Sequence, residues 1–162
     1  MNETLITPTG LARLSDELDR LRTFGRQEIT ERIRRSIATD ADASANADYQ
    51  AAREEQGALE ARIARLEQRL ESADIVEPDA SNNVLDLGER VRVRDLETGK
   101  RHEYVLVGSL EADPGAGRIS AASPLGRALM GRRRGEIAVV EAPRGERRFT
   151  ILSVAQPRDR AT

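Results

Sequence analysis

Two apolar stripes of helical period, separated by a short acidic segment, constrain this chain more than any other feature. In the first stripe Leu11, Leu14, Leu18, Leu21, Ile29, Ile33 and Ile37 recur at steps of mostly three or four, which places them on one side of a helix. In the second, Ala52, Leu59, Ile63, Leu66, Leu70 and Ala73 repeat near the 3.5-residue period of a coiled coil. Between them runs Asp40-Ala-Asp-Ala-Ser-Ala-Asn-Ala-Asp48. Neither stripe is stable against water, so the pattern predicts two long helices that cover each other, with carboxylates where the chain reverses. At about 1.5 Å per residue, helices of roughly thirty residues reach about 45 Å. Helices in compact domains average about 11 to 12 residues, so a hairpin of this length suits the delivery of a charged tip into something deep.

The pattern changes near residue 80. The first half is rich in Ala, Leu, Arg and Glu, whereas the second carries nearly all the Gly and most of the Pro and Val. The sequence therefore predicts a coiled-coil hairpin domain over 1–77, a linker of turn formers over 78–84, and a second domain over 85–162. Thr7 and Pro8 read as N-cap and first position of the first helix, which runs to about Ala38 with Gly25 inside it as a bend or a close approach. The second helix starts near Ser44 or Ala45 and ends near Ala73, and its Glu60, Arg62, Arg65, Glu67 and Arg69 read as a solvated face with exposed ion pairs. Strands are expected over 88–94, 102–107, 119–122, 135–140 and 148–154. A short capped helix is expected from Ser123 through Pro124 to a stop at Gly131. The fold class is α+β: a long helical hairpin plus an antiparallel sheet with one short helix.

Charge is arranged here, not accumulated. The formal net charge is only −2 although 33% of residues are charged, which argues against a generic nucleic-acid binder driven by bulk positive charge. Two Phe, two Tyr and no Trp leave too few rings for single-strand binding by stacking. With no Cys, disulfides and thiolate metal sites are excluded, and no stretch reads as a signal peptide or membrane span. These readings place the protein in the cytoplasm, away from membranes.

Three segments carry a family likeness: Gly10 to Leu21; Asn46-Ala-Asp-Tyr-Gln-Ala-Ala-Arg-Glu-Glu-Gln-Gly57; and Ser123 to Gly131 followed by Arg-Arg-Arg-Gly-Glu136. With the strand pattern after residue 88 they resemble the bacterial Gre transcript-cleavage factors, which join an N-terminal antiparallel coiled coil to an FKBP-like C-terminal domain. The resemblance implies a monomer that binds bacterial RNA polymerase. The C-terminal domain would dock at the rim of the secondary channel through Ser123, Pro124, Leu125, Leu129 and Gly131, and the coiled coil would reach the active centre. Contact with the RNA 3′ end or DNA would occur only within that complex, with Arg32, Arg34 and Arg35 as candidate RNA or channel contacts. The factor would be no enzyme itself and would hold no cofactor of its own, sharing at most a Mg²⁺ of the polymerase.

The likeness breaks at the tip. Family members that promote cleavage carry Gly-Asp-Leu-x-Glu-Asn-Ala-Glu-Tyr, and the ungapped counterpart here runs from Ala41 to Tyr49. Asp42 is kept and Asp48 keeps a charge, but the central Glu falls on Ala45, and a methyl group neither coordinates a cation nor orients a water. Mg²⁺ takes oxygen ligands, commonly one or two carboxylates plus waters, so losing one of two weakens metal recruitment. Asp42, Asp40 and Asp48 are the tip acids that remain, and each also reads plainly as a turn former or helix-start residue. The expectation is a transcription inhibitor or competitor of cleavage factors. The alternatives are a factor that stimulates cleavage to rescue backtracked complexes, a structural coiled-coil module, and a prolyl isomerase, for which Tyr104 and Phe149 are the only rings in the second domain. His102 has no second metal-ligand candidate nearby in sequence.

Overall fold

The structure is a computed structural model that describes residues 4–39, 47–77, 79 and 83–155. The chain divides into two compact units: Met1–Gly10 with Ala73–Thr162, and Leu11–Ser72. The fold class is α+β, as read from the sequence.

In the helical unit, α1 (Pro8–Arg20) continues through a π-helical turn (Leu21–Gly25) into α2 (Arg26–Thr39), and α3 (Ala47–Glu71) lies against them. Leu18, Ile29, Ala52 and Ile63 are buried between the helices. The uninterrupted first helix expected from the sequence is thus two α-helices joined by a wider turn, and Gly25 closes that turn. A Cβ on Gly25 would stand 3.3 Å from Leu59 Cδ1, so the glycine marks a close approach of the two arms. The apolar stripe also departs from its expected end. Ile37 is 49% exposed while Ser36 is buried, because the inward step after Ile33 is three residues and the Ser36 hydroxyl is satisfied by donating to Ile33 O at 2.7 Å.

Four charged residues of α3, Glu55, Glu60, Arg62 and Glu67, pair across the hairpin, while Arg53 bonds Gln56 along its own helix at 2.8 Å. Arg22 Nε donates to Glu67 at 3.0 Å, Arg26 binds Glu60 at 2.8 and 2.9 Å, Arg62 pairs with Glu17, and Arg32 with Glu55. Such exposed pairs add little stability each, but a ladder of them selects one register over its neighbours.

The second unit holds a five-stranded sheet in the order β5-β4-β3-β7-β6, built from β3 (Arg90–Asp95), β4 (Arg101–Val107), β5 (Arg118–Ser120), β6 (Ile137–Ala142) and β7 (Gly145–Ala155). Val91, Val93, Leu106, Ala138, Val140, Phe149 and Ile151 face inward, where α4 (Pro124–Leu129) covers them with Leu129. The sheet is mixed, not wholly antiparallel, because β5 pairs parallel to β4. Two 3₁₀ turns, Ser109–Glu111 and Pro114–Ala116, carry the chain back between them. A further pair, β1 (Thr4–Ile6) and β2 (Ala73–Ile75), is parallel and was not expected from the sequence. Since β1 also packs on the Ser109–Glu111 turn, these two strands group with the sheet and not with the helices that they flank.

Candidate functional site: an acidic hairpin tip

The arms that lead to the tip are well ordered by their own chemistry. α2 ends at Thr39, whose hydroxyl donates to Arg35 O at 2.6 Å, and α3 begins at Ala47 with Asp48 in its first turn. A carboxylate there is stabilised by the positive end of the helix dipole. Asp48 is exposed, and Tyr49 beside it is half-buried. Asp40, Asp42 and Ala45 lie outside the described residues.

The three arginines near the end of α2 are not equivalent. Arg32 is engaged by Glu55 across the hairpin and Arg34 by Glu31 at 2.8 Å on its own helix. Arg35 is exposed and forms no ion pair with a described residue, which leaves it the cation best able to take a new anion.

In the sheet unit, Ser123 caps α4, its Oγ accepting from Gly126 N at 3.0 Å while donating to Ser120 O at 2.7 Å. Pro124 takes the first helical position, and Gly131 ends the segment at φ +75°, a left-handed conformation suited to glycine. Leu129 is fully buried and Leu125 half-buried, so their side chains serve the core, whereas Pro124, Arg127 and Gly131 are exposed. Gly126 was not singled out in the sequence, yet a Cβ there would fall 1.9 Å from Ser120 O. Only glycine lets α4 sit this close to β5.

At the other end of the inner face a polar group closes the sheet. Asp95 is fully buried; its Oδ1 accepts from Glu97 N at 2.9 Å and Thr98 N at 3.3 Å, and its Oδ2 takes Arg147. Burial pushes this carboxyl up, but hydrogen bonds from Glu97, Arg147 and Thr98 outweigh it and hold the group below the usual carboxylate range. Arg147 also lies over the Phe149 ring at 5.4 Å, and His102 stacks on Tyr104 at 5.8 Å with 8° between the planes. Burial raises the Tyr104 phenol. Phe149 is buried and Tyr104 half-buried, so the rings are largely spent on packing.

A long helical hairpin with carboxylates in its turn sequence, together with a small sheet covered by one capped helix, defines a two-part, coiled-coil-bearing class of protein. The chain belongs to the GreA/GreB family of transcription elongation factors. Residues 4–75 match the family's N-terminal domain, and residues 80–156 match the C-terminal domain of GreA/GreB. It is 42% identical over 155 residues to transcription elongation factor GreA of Alkaliphilus oremlandii, covering 95% of this chain and 97% of that one. It is 41% identical to the GreA of Clostridioides difficile, with 94% and 96% covered. Among solved structures, GreA factor homolog 1 (Gfh1) of Thermus thermophilus is 32% identical over 94% of this chain and 99% of its own, with a TM-score of 0.42.

Proposed function

We propose that this protein binds bacterial RNA polymerase in the cytoplasm as a monomer, enters through the secondary channel, and restrains transcription or opposes cleavage factors instead of driving cleavage. One observation carries the reading: Ala45 stands where cleavage-promoting members of the family place a carboxylate. The tip's remaining donors, Asp40, Asp42 and Asp48, are oxygen ligands of the type Mg²⁺ takes. Without a carboxylate at 45, the tip has fewer oxygens with which to hold a second cation at the polymerase's own centre, where hydrolysis would occur. A hairpin of this length still fills the channel. Docking would fall to the exposed Pro124 and Gly131 of the α4 segment, with the half-buried Ser123 beside them, on a domain that we take to be FKBP-like. Arg35, freer than Arg32 and Arg34, is the best placed of the three for RNA or the channel wall.

A cleavage-stimulating factor is the second reading. The kept Asp42 and the charge kept at Asp48 favour it, as does the 42% identity to a protein named transcription elongation factor GreA. The test is nucleotide addition by purified polymerase halted on a template. Added protein is expected to slow extension and to lower the transcript cleavage produced by an active cleavage factor. Asp42→Ala should bind the polymerase as tightly while changing the degree of inhibition. Failure of the wild-type protein to associate with polymerase would overturn the proposal.

A further inference from the structure

On the side of the sheet away from α4, one row of residues crosses four strands. Ile137 of β6 stands opposite Thr150 of β7, Thr150 opposite Arg94 of β3, and Arg94 opposite Arg101 of β4. With strands about 4.8 Å apart, the row spans roughly 14 Å. Like charges directly opposite each other on neighbouring strands are destabilising, so the Arg94–Arg101 pairing is a cost that the fold tolerates. Both are exposed, and neither forms an ion pair with a described residue.

The acids of this face do not relieve that pair. Glu103 binds Arg92 at 2.8 Å and Arg90 at 3.5 Å, and Glu146 binds Arg148 at 2.9 Å. Glu141 lies opposite Glu146, toward the β6–β7 turn. On the edge strand, separated from Arg94 by Thr150, stands an apolar strip: Ile137 is 46% and Val139 44% exposed, with Val139 opposite Arg148. Edge strands are commonly blunted by charge; here the edge carries two branched apolar side chains beside the paired Arg148, with Arg94 and Arg101 two and three strands further along the same face.

We propose that this outer face is an interaction surface for an acidic, amphipathic segment of a protein partner. Its carboxylates would pair with Arg94 and Arg101 while its apolar side chains cover Ile137 and Val139. Arginine forks match carboxylates bidentately, and an apolar patch flanked by charge is the usual make-up of a protein interface. A phosphate backbone would use the arginines but gain nothing from Ile137 and Val139. At physiological salt charges are screened beyond about 8 Å, so the arginines attract an acidic partner locally although the net charge is −2. The surface lies on the opposite side of the sheet from α4, so it is separate from the docking segment considered above.

The full chain can be tested without polymerase, so the result is independent of the channel reading. Fluorescence anisotropy in physiological salt would compare three labelled probes: a helical peptide with Glu on one face and Leu on the other, polyglutamate of equal length, and duplex DNA. The Glu/Leu peptide should bind about tenfold tighter than either other probe. Arg94→Gln with Arg101→Gln should weaken both acidic probes about tenfold, and Ile137→Ser with Val139→Ser should bring the Glu/Leu peptide down to the polyglutamate level. All four side chains are exposed or edge-placed, so melting temperatures should hold; single substitutions replace any pair that does not fold. DNA binding as tight as the Glu/Leu peptide, no preference for that peptide over polyglutamate, unchanged binding by the variants, or no binding at all would each overturn the proposal.

Discussion

Glu111 and Thr7, 104 residues apart in the chain, share a buried 2.6 Å hydrogen bond in which the hydroxyl donates to the carboxylate. The same carboxylate accepts the Thr7 amide at 2.9 Å and the Gly108 amide at 3.3 Å, while Thr7 Oγ1 accepts from Gly10 N at 3.0 Å to cap α1. One buried acid thus holds the N-cap residue Thr7, whose hydroxyl in turn satisfies the Gly10 amide in the first turn, and places negative charge at the positive end of the helix dipole. Glu111→Ala should strand the Thr7 amide and hydroxyl and cost about 1–3 kcal/mol for each group left unsatisfied. Glu111→Gln, which keeps an acceptor, should cost less. Thermal melts of the two variants check the order; equal melting temperatures would count against the role given to the carboxylate.

Three glycines should respond to alanine in a fixed order. At Gly126 the new methyl would meet the Ser120 backbone carbonyl at 1.9 Å, and at Gly10 it would meet the buried Glu111 carboxylate at 1.8 Å. Neither neighbour can retreat freely, so each substitution should cost at least the 1–3 kcal/mol typical of overpacking, roughly. At Gly25 the neighbour is the end of the Leu59 side chain, 3.3 Å away, and alanine gains about 1 kcal/mol of helix propensity. Gly25→Ala should therefore be near neutral or stabilising in a denaturant titration.

Removing the fully packed Ile63 side chain in the helical unit should cost about 2–5 kcal/mol in Ile63→Ala. Arg62→Ala next to it, which breaks only the exposed pair with Glu17, should change stability far less. Urea midpoints of the two variants make the comparison directly.

Two buried acids should give opposite pH dependence. Asp95 has a lowered folded pKa, so its stabilisation is present above the unfolded value and is lost as pH falls through the folded one. The advantage of wild type over Asp95→Asn should thus be largest near neutrality and shrink below about pH 4. For Glu89, burial raises the carboxyl, opposed by the Asp86 amide and assisted by the Asp86 and Asp79 charges. The folded state then holds that proton more tightly, so stability falls as pH rises from the ordinary glutamate range through the folded value. Glu89→Gln should gain on wild type as pH increases, in urea titrations spanning that range.

Long periodic signals were the legible part of the chain. The hairpin, the caps at Thr7 and Ser123, and the strands around Val91 and Leu106 follow from spacing and cap chemistry that act over a few residues. What escaped depends on partners distant in sequence. The three-residue strands β1 and β2 are too short for any period to show, and are held by each other and by the turn ending in Glu111. The π-helical turn at Leu21–Gly25 has no signal beyond a single glycine. Leu129 reads as a docking residue in its motif, and its side chain is buried in the core, because a short helix must spend its larger apolar side chains on the sheet. The tip is the reverse case: its chemistry is wholly local, and the identity of residue 45 is read directly from the sequence.

Under the proposed function, the absence of a carboxylate at residue 45 decides what the hairpin does inside the polymerase. The direct measurement is endonucleolytic RNA cleavage in a backtracked elongation complex with wild type, Ala45→Glu, and Ala45→Glu combined with Asp42→Ala. The account predicts little stimulation by wild type, clear cleavage on introducing the glutamate, and its loss again in the double variant. Robust cleavage by the wild-type protein, or none from Ala45→Glu despite intact binding, would contradict it.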